Sequence, residues 1–281
     1  MIVMRIRPNL GALAVLTSFA LLWWIERKRP LRPTVEPPPR RHARNLTIAA
    51  LAAVTVHVAE RPLVEPLADR VEARRWGLLK RAPLPRWLET VAGLVLLDYT
   101  LYLWHVLVHR VPALWRFHAV HHVDLDLDAS TAVRFHAGEL LISVPWRAMQ
   151  VCIIGVSPAT LTLWQRLLLI EILFHHSNVR LPQRLERALS RLVVTPRLHG
   201  IHHANRELIR NVNWSSGLTV WDWLHGTLRD DIPQDEIVIG VEGFHDPRDV
   251  TLPRVLAMPF ERSQESGVRV HPSSFLLTPS F

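Results

Sequence analysis

Apolar residues along this chain gather in four blocks, Leu10–Ile25, Leu46–Ala59, Trp87–Val108 and Leu140–Phe174, and the last third turns polar and mixed. A helix needs about 20 apolar residues to cross a bilayer. Trp87–Val108 has that length, interrupted by Glu89 and Asp98. Leu10–Ile25 is slightly short but ends on Trp23, Trp24 and Glu26-Arg27-Lys28-Arg29, the residue types of a membrane interface. Leu46–Ala59 is weaker, with His57 inside it and Glu60-Arg61 at its end. Leu140–Phe174 is too long for one span, and Gly155-Val156-Ser157-Pro158 divides it into two short helices that can form a hairpin entering and leaving from one side. A buried core helix of a soluble bundle explains any one short block; four in succession favour membrane insertion. The pattern predicts an all-α protein with about two spans, a further spanning helix, a helical hairpin and a histidine-rich helical cap. Three regions are expected: an N-terminal membrane hairpin with its connectors (1–86), a unit of membrane helices and histidine-rich cap (87–229) and a tail (230–281).

Arg5 and Arg7 precede the first block as in a signal peptide, but no small-x-small cleavage pattern follows, so an uncleaved anchor is expected. The connector Arg27–Arg44 carries seven Lys and Arg residues and the stiff run Pro37-Pro38-Pro39, which the positive-inside rule keeps in the cytoplasm. The third block then runs inward and delivers His105 and His109 to the cytoplasmic face. Basic residues between the second and third blocks (Arg70, Arg74, Arg75, Lys80, Arg81, Arg86) pull against that orientation.

The net charge of +8 suits anionic headgroups, and without any nucleic-acid module the basicity is assigned to membrane contact. The single cysteine, Cys152, excludes an intrachain disulfide framework and an iron–sulfur cluster held by this chain alone. The tail after Asp230, with His245 and His271 outside any cluster, is read as a partly ordered cap with no assigned role.

Histidine supplies the candidate chemistry. Ten of the 16 histidines are candidate metal ligands: His105, His109, His118, His121, His122, His136, His176, His199, His202 and His203. Asp98, Tyr102, His105 and His109 form one helical stripe, two imidazoles with a carboxylate and a phenol behind them as orienting partners. His118, His121 and His122 repeat at i, i+3, i+4, so three nitrogens can converge from one turn, and His199, His202 and His203 repeat that spacing. His136, with Glu139 three residues on, begins the hairpin, and His175-His176 ends it. Any one pair is explained as well by interfacial histidines; the set together marks a metal site. Ten imidazoles exceed the needs of one ion, so a dinuclear centre is the simplest solution. Histidine suits zinc, iron and copper alike, but no HExxH motif is present, and saturation with neutral nitrogen favours redox chemistry.

With Asp98-Tyr99-Thr100-Leu101-Tyr102-Leu103-Trp104-His105, the runs around His118–His122, Arg134-Phe135-His136 and His176-Ser177-Asn178, Thr195-Pro196 before His199–His203, and Asn213-Trp214, Trp221-Asp222 and Gly226-Thr227, the chain resembles the fatty acid hydroxylase superfamily, which includes the sterol desaturases. Acyl-lipid desaturases share the histidine pattern but have a longer gap than the eight residues between His109 and His118. The resemblance implies a membrane enzyme whose cytosolic histidines hold two irons, with zinc as a substitute. It would use dioxygen and electrons from a separate donor, a ferredoxin or a small haem protein with its reductase, to hydroxylate or desaturate a C–H bond of a sterol, fatty acyl chain or related isoprenoid. Asp98, Tyr102, Glu139, His175, Asn178 and Asn213 are candidates for orienting the ligands. Ala137 and His225 depart from the usual pattern, as does the stretch 204–212. The alternatives are a non-catalytic membrane metal or lipid carrier and a zinc-dependent lipid hydrolase.

Overall fold

A computed structural model describes residues 8–261. Arg5, Arg7, His271 and the end of the tail lie outside the described residues. The described residues are helical, with isolated bridges and no strand. Five long segments run between two ends of the molecule: α1 (Pro8–Lys28), α2 (Pro38–Thr55) continued by α3 (Arg61–Arg74), α4 (Arg86–Arg110), α6 (Ala137–Ile154) and α7 (Pro158–His176). The short helices α5 (Pro112–His122), α8 (Gln183–Leu189) and α9 (Pro196–His202) lie at one end, where α4 finishes and α6 begins. Among the described residues, three helical stretches are long and apolar enough to cross a membrane: 38–80, 86–110 and 137–154. At 1.5 Å per residue α4 is about 37 Å long, more than a hydrocarbon core of about 30 Å.

Two expectations about the apolar blocks change. The weak second block is part of a much longer helical run, because Val56–Glu60 forms a π turn that joins α2 to α3 without a break. Pro62 has no N–H to give Val58 and its ring crowds that carbonyl. The backbone widens there, and the N–H of Arg61 reaches Val56 O. The expected hairpin is present, but its helices have 18 and 19 residues and are not short. Gly155 ends α6 with φ 84°, and the Ser157 side chain caps α7 by accepting from Thr160 N. At this far end Gly77, itself at φ 95°, meets Gly155 so closely that a Cβ on Gly77 would lie 2.4 Å from the Gly155 Cα. An apolar core of Val64, Ala68, Val71, Leu97, Val151, Ile154, Leu161 and Trp164 fills the space behind that contact.

The basic connector has a second use that hydropathy does not reveal. Arg41 and Arg44 are buried against the loop after α5: Arg41 holds Asp124 through Nε and Nη2, both at 2.9 Å, and also pairs with Asp128. Arg44 pairs with Glu36 at 2.7 Å and with Asp124 at 3.2 Å. Arg32 is also buried, giving hydrogen bonds to Pro196 O and Gln234. Three of the seven connector cations therefore serve the protein interior, which corrects the assignment of their charge to membrane contact. Burial alone would raise the Asp124 carboxyl, but the Arg41 guanidinium, followed by that of Arg134, brings it down to about 2. The tail up to Glu261 packs over the histidine-bearing end: Ile237 and Ile239 rest on Ile201 and Leu127, while Val250, Val255 and Met258 rest on Trp115, Ala119 and Val120.

Candidate metal centre

Four elements bring the histidines together: the last turns of α4, all of α5, the end of α7 and all of α9. α4 and α5 meet at Pro112, which cannot continue the α4 hydrogen-bond ladder and instead begins the next helix, so His105 and His109 come to face His118 and His122. Thr195 caps α9 by accepting from Leu198 N and sets its single working turn.

The rings form two adjoining groups. His105, His109, His118, His122 and His202 make one; His121, His176, His199 and His203 make the other, and within each group the candidate ligand atoms lie within 4.8 Å of one another. The groups share a wall where the rings of His122 and His203 stack at 4.2 Å. Each i, i+3, i+4 triplet is thus split, contrary to the expected convergence of three nitrogens from one turn. His118 and His122 lie on one face of α5 and His121 about 100° round from His122, so it joins the second group; α9 sends His199 and His203 one way and His202 the other.

The donor set fits cations. An ion bonding nitrogen at about 2.1 Å sets opposed donors about 4.2 Å apart, close to the spread observed. In the first group three rings have Nδ1 committed as a donor: His105 to Trp214 O at 2.6 Å, His118 to Glu139 Oε1 at 2.9 Å and His202 to Val212 O at 2.9 Å. That leaves Nε2 of each with a bare lone pair, and Nε2 of His118 and His202 and both nitrogens of His109 and His122 are buried without any hydrogen-bond partner. In the second group His176 gives its Nδ1 proton to Ile172 O at 2.7 Å, so its Nε2 can only accept. That nitrogen lies 2.9 Å from His121 Nε2 and 3.0 Å from His199 Nε2, which is in turn 3.1 Å from His203 Nε2. If His199 carries the proton to serve His176, it has no lone pair left for His203. A central cation satisfies all four nitrogens where a hydrogen-bond chain fails. Burial, and then the crowding of imidazoles, holds His121, His122, His199, His202 and His203 well below the ordinary value of 6.5, so these rings are neutral and available as ligands at neutral pH.

The remaining candidates are placed as follows. His136 stands outside both groups: its Nδ1 caps α6 by accepting from Gly138 N at 2.9 Å, and its Nε2 gives its proton to Leu256 O at 3.3 Å, so neither nitrogen is free. Glu139 faces His118, not His136. Asp98 and Tyr102 do not reach a clustered ring. Asp98 accepts from Leu218 N and Trp221 Nε1, and Tyr102 meets Thr227 Oγ1, fastening the 214–227 segment to α4 with Trp214 O over His105. Asn213, at φ 53°, ties α9 to Arg229 through Leu198 O and Arg229 O; Asn178 ties the connector to the end of α7 through Arg32. His175 is buried beside the second group, its ring 4.1 Å from that of His199. Asp222, which no spacing argument singled out, holds Trp214 N and Ser215 N at 2.9 Å each and thereby supports the roof over His105.

A cavity of about 530 Å³ opens beside the rings. Leu101, Trp104 and Val108 of α4, Leu140 and Ser143 of α6, and Leu168, Leu169 and Ile172 of α7 line it, and His105, His118, His121 and His176 stand at its inner end. An apolar passage between the third block and the hairpin is therefore present.

Residues 90–227, which contain every clustered histidine, match the model of the fatty acid hydroxylase family. Among characterised relatives, the ornithine lipid hydroxylase of Rhizobium tropici is 32% identical over 160 residues, 57% of this chain and 47% of its own. Human cholesterol 25-hydroxylase is 30% identical over 48% of this chain and 49% of its own, and human alkylglycerol monooxygenase 25% identical over 55% and 33%. The match spans about half or less of the length of these relatives. No solved structure matches the chain.

Proposed function

We propose that this chain is an integral membrane monooxygenase that holds two irons, one in each histidine group, and oxidises a C–H bond of a lipid. The observation that carries this reading is the pair of adjoining, fully buried nitrogen groups whose lone pairs have no other use. The first group would hold one ion through His105, His109, His118, His122 and His202, and the second group the other through His121, His176, His199 and His203. With iron and external electrons, such a site supplies dioxygen activation. The protein contributes the rest: Trp214 O, Glu139 and Val212 O hold three rings in the tautomer that ligates, the cavity admits an apolar chain, and burial limits water around the rings. Residues 87–229 form the catalytic unit in this reading, and a ferredoxin or small haem protein supplies electrons. The basic connector packs on the same end as the histidines, which supports a cytoplasmic site.

Iron analysis and oxygen uptake test this directly. Full-length protein in lipid nanodiscs should carry about two irons per chain. It should also consume oxygen when given a reductase system and a membrane lipid extract, with a product one oxygen heavier or two hydrogens lighter. Lipid turnover that persists without oxygen would overturn the reading in favour of a hydrolase. Bound metal or lipid without oxygen uptake would leave a carrier.

A further inference from the structure

The cavity lining is apolar in large part, with the histidines and Glu139 at its inner end, Ser143, Thr162, Gln165 and Ser216 as neutral polar exceptions, and a charged pair between the histidines and the rim. There α6 contributes Arg147 and the π turn contributes Glu60, within stretches long and apolar enough to cross the membrane. Ionisable groups at that depth are costly and usually functional. The Arg147 guanidinium is positioned from three sides: Nη1 donates to Gln150 Oε1 at 3.1 Å, the group sits 4.6 Å over the Trp164 ring, and Nε lies 3.8 Å from Glu60 Oε1. Gln150 is held in turn by donating to Thr100 Oγ1 on α4 at 2.6 Å.

The 3.8 Å between Arg147 Nε and Glu60 Oε1 matters most. It is too long for a hydrogen bond, and Arg147 Nε is buried with no partner. Glu60 is the last residue of the π turn, and such turns recur at functional sites. The two charges already cancel. An anionic ligand would add an uncompensated charge to an apolar cavity, whereas a hydroxyl can accept from Arg147 Nε and donate to Glu60 while leaving the site neutral.

We propose that Arg147 and Glu60 bind a hydroxyl group at the polar end of the substrate lipid, so that this enzyme takes lipid alcohols in preference to lipid acids. This rests on the reading of the histidine groups as the reaction centre. Arg147 is eight residues beyond Glu139, the partner of His118, which places the hydroxyl site about 12 Å along α6 from the level of the rings. The reacting carbon therefore lies roughly that far from the hydroxyl. Arg61 and Glu65, paired with each other at 2.7 Å and half exposed, stand at the cavity rim and do not compete for the same group.

The test uses full-length protein in phosphatidylcholine nanodiscs with two photoreactive probes, 1-hexadecanol and hexadecanoic acid, each bearing a diazirine near the polar end. The alcohol should label peptides containing Arg147 or Trp164 saturably and at about tenfold lower concentration than the acid, as expected for one well-made hydrogen-bonding site. The double variant Glu60→Gln with Arg147→Gln keeps the site neutral but loses the charged donor and acceptor. It should bind the alcohol about tenfold more weakly with unchanged iron content. Arg147→Lys keeps the charge and should fall between the two, separating loss of the site from loss of the fold. Equal labelling by acid and alcohol, or undiminished alcohol binding in the double variant, would overturn the proposal. Iron measured on the same samples keeps the two readings apart: iron-free protein that still prefers the alcohol defeats only the oxygenase, and iron-loaded protein without preference defeats only the hydroxyl site.

Discussion

Two buried polar clusters stand side by side at one end of this molecule, and they are completed in opposite ways. Around Asp124 the protein supplies the partners of both carboxylate oxygens: Arg41, Arg44, Asn45 and Thr131. Beginning two residues away, at His122, the nine clustered histidines leave a set of nitrogens with no partner among the described residues. A polar group taken out of water needs compensation, and a cluster that lacks it among its own side chains is built for something brought from outside. The first cluster fastens the connector to the loop after α5, and the second is a socket.

That contrast can be broken experimentally. The largest effects should come from the socket. His121→Ala or His202→Ala removes one donor from the second or first group respectively, and turnover should fall to background with bound iron measurably reduced. Turnover near wild type in either variant would mean that the groups are not the centre.

Next in size is the self-contained cluster. Arg41→Met leaves Asp124 with a buried, under-compensated charge and should destabilise the fold by about 3–5 kcal/mol, measured by denaturation in detergent, by the same amount whether or not metal has been stripped. Acid should attack the same place. The folded carboxyl of Asp124 titrates at about 2, against an ordinary 3.8, so its contribution is complete above pH 4 and disappears as pH falls toward 2. In metal-free protein the socket adds an earlier loss: its rings titrate below their ordinary 6.5, the unfolded chain takes up protons that the folded chain refuses, and stability declines as pH drops under that value. Identical acid profiles for wild type and Asp124→Asn would remove this distinction.

A smaller effect should follow from Glu139→Ala, which frees the Nδ1 side of His118 and should weaken metal affinity about 10–100-fold while the fold survives. The smallest belongs to His136→Ala. It removes a helix cap and a long hydrogen bond to Leu256 O, so it should cost about 1–2 kcal/mol and leave metal content untouched; loss of metal there would return His136 to the ligand set.

Much of this was legible in the sequence because it depends on local spacing. Hydropathy marks α1, α4 and the hairpin, and proline and glycine mark where the chain turns. The histidines announce a metal site because few other uses explain them. The division of each triplet was not legible, since i, i+3, i+4 spacing says which rings are close on one helix but not which partner helix each one faces. Glu139 stands three residues from His136, yet it serves His118 from another helix. Arg41 and Asp124 are 83 positions apart, and nothing in the pattern of a basic connector shows that its cations turn inward. The π turn was hidden for another reason: Pro62 reads as a helix end, whereas the backbone widened and went on.

The contact between Gly77 and Gly155 fastens the end of the helix bundle opposite the histidines. Two loops meet there main chain to main chain, with no room for even a methyl group, and the apolar core that includes Trp164 sits behind them. That corner works as a rivet. Arg61 and Thr162, which line the cavity, are exposed on the flank of the helices, so under the proposed function a guest molecule would enter from the side.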